Sequence, residues 1–236
     1  MSVESSIKKP ETAKLKLPGA FALFEPSTQA LKRNAVTLLG LFLSPMIATI
    51  PLFSVAIGLT VATSNNGRDA ISGVVLICFA VIYIAIFVFS MITSAALIDA
   101  TVWAVQEKKP SYIDSLRIGL HHFWRFVGLS VCVGILVLLG LILFIVPGLI
   151  LFKRYFLAPF YLVHRNMGIA EAMKQSAADT KKYGGVWGIM GVFALIELAG
   201  IIPFVGWIVT LVGLALYACA PAIRYLQIQK LVDQAR

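Results

Sequence analysis

The stretch Leu149-Ile150-Leu151-Phe152-Lys153-Arg154-Tyr155-Phe156-Leu157-Ala158-Pro159-Phe160-Tyr161-Leu162-Val163 sets two basic residues side by side in an otherwise apolar run. A charge at the centre of a bilayer costs about 2.5–3.5 kcal/mol on insertion scales, so Lys153 and Arg154 need a counter-charge, a route to the headgroups or a task. As a helix the run is about 22 Å long, against a hydrocarbon core of about 30 Å. Its flanks decide whether it crosses. Arg165, Lys174, Lys181 and Lys182 follow it, and they share a side with the other basic segments only if it does.

The rest of the chain reads the same way. Hydrophobic residues make up 59% of it and mean hydropathy is +0.90, above the roughly 45–50% apolar content of soluble domains. The apolar runs predict an all-α polytopic membrane protein with six spans, at about 35–63, 71–105, 126–146, 149–164, 186–202 and 205–226. Residues 1–34 form a basic N-terminal segment, 35–228 the membrane domain and 229–236 a tail. The N-terminal segment has no signal-peptide pattern, Ser2 stands where a myristoylation signal needs glycine, and the C-terminus has no prenylation cysteine.

Basic residues set the orientation. Lys8, Lys9, Lys14, Lys16, Lys32 and Arg33 precede the first run; Lys108, Lys109, Arg117 and Arg125 lie between the second and third; Arg224, Lys230 and Arg236 close the chain. The other side has Arg68, in the loop Ser64-Asn65-Asn66-Gly67-Arg68-Asp69. The positive-inside rule then predicts cytoplasmic termini. Trp103, Trp124 and Trp187 fall at the cytoplasmic ends of the spans and Trp207 near an outer turn, where amphipathic rings are at home. The net charge of +9 is spread beside hydrophobic runs, which fits attraction to anionic lipid headgroups rather than nucleic acid.

Three segments share a plan. Gln29-Ala30-Leu31-Lys32, Asp114-Ser115-Leu116-Arg117 and Glu171-Ala172-Met173-Lys174 each lead into a hydrophobic hairpin whose outer part holds a proline: Pro51, Pro147 and Pro203. Leu157-Ala158-Pro159-Phe160 and Cys219-Ala220-Pro221-Ala222 match on two return helices. All three units begin on one side, so the expected architecture is three parallel-repeat hairpins with short amphipathic leader helices. In the second leader Ile113, Leu116 and Leu120 share a face, which suits a helix lying along the headgroups.

Counted back from the outer ends, Lys153, Arg154 and Glu197 come to similar depth. A salt bridge from Glu197 is expected, to Arg154 in preference because its fork can hold a carboxylate through two hydrogen bonds. Asp99 and Arg224 form a second candidate pair near the cytoplasmic boundary. Cys78, Cys132 and Cys219 lack CxxC spacing and read as apolar packing residues, while His121, His122 and His164 lack a third ligand, so neither metal, disulfide nor cofactor is expected. No GxSxG, P-loop or GxGxxG pattern is present, which points away from an enzyme. The glycines Gly184, Gly185, Gly188 and Gly191 form a small-residue stripe suited to close helix packing or to a homodimer.

The segment from Val146-Pro147-Gly148 to Ala158-Pro159, followed by Glu171-Ala172-Met173-Lys174-Gln175-Ser176, resembles the membrane domain associated with bacterial glycerophosphodiester phosphodiesterases and related stand-alone six-helix membrane families of unknown function. Those families carry a Pro-Gly turn, a basic residue in the short helix after it, an Ala-Pro and then such a leader. The resemblance covers roughly residues 112–230 and implies a bacterial or archaeal plasma membrane location. No phosphodiesterase catalytic domain is present, so that activity does not carry over. The leading expectation is a non-enzymatic integral membrane protein that organises or binds lipid, anionic at the cytoplasmic face, or a membrane protein partner. The alternative is a small permease or channel with a polar site around Arg154 and Glu197.

Overall fold

A computed structural model describes residues 17–64, 70–202 and 205–234, all helix and connecting turns. Lys8 to Lys16, Arg68, Pro203 and Arg236, which entered the orientation and repeat arguments, lie outside the described residues. After a single 3₁₀ turn come α1 (Phe24–Arg33), α2 (Ala35–Ser64), α3 (Ala70–Val105), α4 (Tyr112–Leu143) and α5 (Ile145–Tyr155). The chain continues through α6 (Ala158–His164), α7 (Ile169–Tyr183), α8 (Val186–Ala199), α9 (Gly206–Tyr217) and α10 (Ala220–Gln234).

Among the described residues, five segments are long and apolar enough to cross a membrane: Ala35–Val55, Leu76–Val105, Tyr112–Leu143, Ile145–His164 and Gly206–Gln234. The span expected at 186–202 is different. Its helix α8 has 14 residues, about 21 Å, short of the hydrocarbon core on its own. It reaches spanning length only together with α7, to which it is bent by 98°. The bend falls at Gly184 (φ 61°) and Gly185 (φ 77°), a pair of left-handed residues that glycine adopts without steric cost.

Prolines meet two different accommodations. α2 runs on through Pro45 and Pro51, and the Ser44 hydroxyl donates at 3.0 Å to the Leu41 carbonyl, the group four residues back that Pro45 cannot serve. The return segments instead break. α5 ends at Tyr155 and α6 starts at Ala158, while α9 ends at Tyr217 and α10 starts at Ala220, so each break sits at the same distance before its proline, Pro159 or Pro221. A helix end leaves its last carbonyls without partners. The Arg154 carbonyl accepts from Ser176 Oγ at 2.8 Å and Thr180 Oγ1 at 3.2 Å; the Leu216 carbonyl accepts from Ser27 Oγ at 2.7 Å. In both cases the hydroxyl comes from a leader helix.

The leaders differ from the expected uniform set. α1 and α7 are separate helices, but Asp114 to Arg117 is the start of the unbroken α4, because nothing between it and the membrane stretch interrupts helical bonding. Its apolar residues also face the other way from a soluble helix: Ile113 and Leu120 are exposed, while Ser115, Gly119 and His122 pack inward. Gly119 lets α4 close onto α3, since a Cβ there would collide with the Ile92 carbonyl. The small residues Ala30, Ser115 and Ala172, at the same place in the three leaders, are all buried. So are Ala95, Ala158 and Ala220 on the three return helices, each with no exposed surface.

The packed interior lies towards the end that carries the basic residues, around Leu157, Tyr161, Leu162, Tyr217 and Tyr225. Away from it, α2 and α3 expose Ile47, Phe53, Ile77 and Tyr83, which lipid tolerates as well as protein does. The α4–α5 turn is a single residue, Phe144, and Leu141 to Val146 are all apolar and exposed. Gly119→Leu should cost about 1–3 kcal/mol by forcing α3 and α4 apart, read as a lower melting temperature in detergent. Gly58→Ala, whose Cβ meets nothing within 4 Å, should not lower melting and should raise it slightly, since alanine removes glycine's helix penalty.

Candidate functional site

Lys153 and Arg154 occupy the last turn of α5, where α7 docks through Ser176 and Thr180. This polar helix exposes Glu171, Lys174, Lys181 and Lys182. Lys153 Nζ lies 5.6 Å from the centroid of the Trp187 ring, within cation–π reach, and the Arg154 side chain is exposed. The two bases therefore sit level with an amphipathic helix and an interfacial tryptophan.

Glu197 is elsewhere. It lies ten residues beyond Trp187 on α8, about 15 Å along the axis, and forms no ion pair with Lys153 or Arg154. The expected salt bridge is corrected on that ground. Depth matching failed because α5 stops after 11 residues and the bend before α8 brings the start of that helix, rather than its end, beside Lys153. Among the described residues the ion pair that forms is Arg33 Nη1 to Glu107 Oε1 at 2.7 Å. The Arg33 guanidinium holds the Glu107 carboxyl below its usual range, tying α1 to the turn after α3.

The second expected pair is also corrected. Asp99 accepts from Trp103 Nε1 at 3.0 Å and from Ser115 Oγ at 3.4 Å, so it faces α4. Arg224 turns to the segment before α1, where Nη2 donates to the Pro18 carbonyl at 2.7 Å. Its guanidinium lies against Gly185, where a Cβ would come within 3.0 Å of Cζ. Both residues are buried, at 6% and 1% exposure, so bulk water does not supply the missing partner either. Of the cysteines, Cys219 packs in the core, whereas Cys132 is exposed and the packing account does not hold for it.

A buried polar network joins α6, α7 and α10. Tyr161 donates its hydroxyl hydrogen to Asp179 Oδ2, which also accepts from Gln175 Nε2 at 3.0 Å. A phenol has one hydrogen, so the Tyr161 oxygen accepts from Gln229 Nε2, at 2.8 Å. His164 Nδ1 lies 3.1 Å from the Tyr225 hydroxyl. Sequence reading missed this network; the available signal was Ala172, Gln175, Ser176 and Asp179 spaced along one face of α7. Beside it, at the basic end, a cavity of about 540 Å³ is lined by residues that include Gln106, His164, Arg165, Gln229 and Lys230.

A second cavity, of about 580 Å³, is an apolar cleft between α4 and the α5–α6 segment. Leu129, Val133, Val137 and Leu141 form one wall, Phe152 and Phe156 the other. Neither cavity includes Arg154 or Glu197 in its lining.

No protein-family model matches the chain, and no curated protein or solved structure matches it either.

Tyr161→Phe removes the hydroxyl that Asp179 and Gln229 share and leaves two buried polar groups short of a partner. A loss of about 1–3 kcal/mol is expected, measured by thermal unfolding of the detergent-solubilised protein.

Proposed function

We propose that this multi-pass membrane protein binds and organises phospholipid, with anionic headgroups gathered at its basic face. The observation that carries the reading is the interfacial belt: Lys153 and Arg154 on the end of α5, Lys174, Lys181 and Lys182 exposed on α7, and Trp187 beside Lys153. A basic residue near an anionic surface contributes about 1 kcal/mol, so five of them on two contacting helices give a strong preference for negative lipid. In this reading the basic face is cytoplasmic, both termini lie there, the bent α7–α8 pair supplies the sixth crossing, and the membrane is the plasma membrane. The likeness to the membrane domain beside glycerophosphodiester phosphodiesterases agrees with a lipid setting and adds no reaction.

A permease path would need Arg154 and Glu197 on one route. Arg154 stands beside α7, while Glu197 lies about 15 Å further along α8 than the tryptophan next to Lys153. Binding is the better supported reading.

The test is lipid retention. The full chain, reconstituted in vesicles of equal phosphatidylglycerol and phosphatidylcholine and then gently extracted, should retain phosphatidylglycerol several-fold over phosphatidylcholine. Replacing Lys174, Lys181 and Lys182 together by Gln should bring that ratio towards one. Equal retention of the two lipids by the unaltered protein would overturn the proposal.

A further inference from the structure

The cleft between α4 and the α5–α6 segment owes its shape to contacts above and below it. At the turn, α4 and α5 meet through glycines: a Cβ on Gly140 would come within 2.9 Å of the Gly148 Cα. At the basic end, Asn166, just past α6, accepts from Arg125 Nη1 at 2.7 Å and lies 3.3 Å from His122 Nε2. Between these two pins the α5–α6 break at Phe156 and Leu157 lets the helices bow apart. The opening runs from Leu129 to Leu141 on α4, about 18 Å of helix.

Both walls belong to segments with the length and apolarity of membrane spans, so the medium outside the cleft is hydrocarbon. Ser130 and Tyr155 bring the polar side chains of the lining. An empty slot would forfeit dispersion contacts along its whole length. A chain of methylenes restores them and asks for no hydrogen bond.

The lower mouth supplies the other half of the recognition. Arg125 lies one helical turn below Leu129 on the same face of α4, and its side chain is exposed. Its bond to Asn166 uses Nη1; a guanidinium carries five N–H donors in a fork suited to phosphate. Trp124, 80% exposed beside it, marks the headgroup layer. We infer that this cleft is a phospholipid site, one acyl chain lying between α4 and the α5–α6 segment and the phosphate on Arg125. The inference rests on the lipid-binding reading above and gives that reading a stoichiometric site, distinct from the α7 belt.

Gly134 provides the means to test it. It lines the cleft, and a Cβ built on it meets nothing within 4 Å, so Gly134→Leu projects a side chain into the slot from an open position. The full chain would be reconstituted with phosphatidylglycerol carrying a photoreactive diazirine at mid-chain, irradiated, and the cross-linked peptides mapped. Cross-links should concentrate on residues 129–141 and 152–159 and fall at least tenfold in Gly134→Leu, with melting unchanged. Arg125→Gln should lower labelling by phosphatidylglycerol several-fold and leave labelling by a diacylglycerol with the same chain unchanged.

Cross-links spread evenly over the exposed faces of α2 and α3, or undiminished in Gly134→Leu, would overturn the site. So would links across the cleft between two copies of the chain, read with a bifunctional cross-linker in a parallel sample, which would make the occupant protein. If cleft labelling fails while phosphatidylglycerol enrichment persists, the cleft alone is refuted. If enrichment fails too, both readings fall.

Discussion

Two hydroxyls on one carbonyl hold the return path of this protein together. The backbone oxygen of Arg154 lies in the last turn of α5, four residues before α6 begins, and Ser176 and Thr180 of α7 both donate to it. A buried carbonyl without a donor costs several kcal/mol, so the break ahead of Pro159 is tolerable only with α7 docked. That docking brings a charged helix up to Lys153 and Arg154, and it places Trp187 beside them. The two adjacent charges thus have a polar helix and an aromatic face beside them in place of a carboxylate.

The same solution recurs at the end of α9, where Ser27 of α1 serves the Leu216 carbonyl. A break in a return helix, an Ala-Pro restart and a hydroxyl from a leader form one device used twice. The hydroxyls are not at equivalent repeat positions: Ser27 precedes the buried small residue of its leader by three positions and Ser176 follows its own by four. The first hairpin has Ala95 and Ala96 in the corresponding place, without a proline, and α3 stays whole. Sequence repetition and structural repetition thus agree on where helices meet and differ on where they break.

Much of the architecture was legible because hydrocarbon imposes long apolar runs, and those runs fell close to α2, α3, α4 and the two broken return segments. The 98° bend at Gly184 and Gly185 was not: glycines suggest close packing and left-handed turns equally. The polar pairs were misjudged for a related reason. Counting residues from a turn gives depth only if both helices are straight and continuous, and α5 is cut short while α8 starts from a bend. Asp99 and Arg224 each found other partners, Trp103 and Ser115 for the one and the Pro18 carbonyl for the other, and a partner cannot be read from position along a helix. Tyr161 went unnoticed because an aromatic in an apolar run reads as packing; its partner Asp179 lies on a different helix, 18 residues away.

The turn between α4 and α5 has a mechanical meaning. Between Val131 and Phe152 no side chain carries a charge, a hydroxyl or an amide, so the far tip of this hairpin has nothing to hold it at a water boundary. Its height is set wholly from the other end, by Arg125, Asn166 and the bases around α7. A thicker or thinner bilayer can slide past the tip without breaking a polar contact, and mismatch that would tilt or strain a helix anchored at both ends is absorbed there. The hairpin is a cantilever: fixed at one face of the membrane and free at the other.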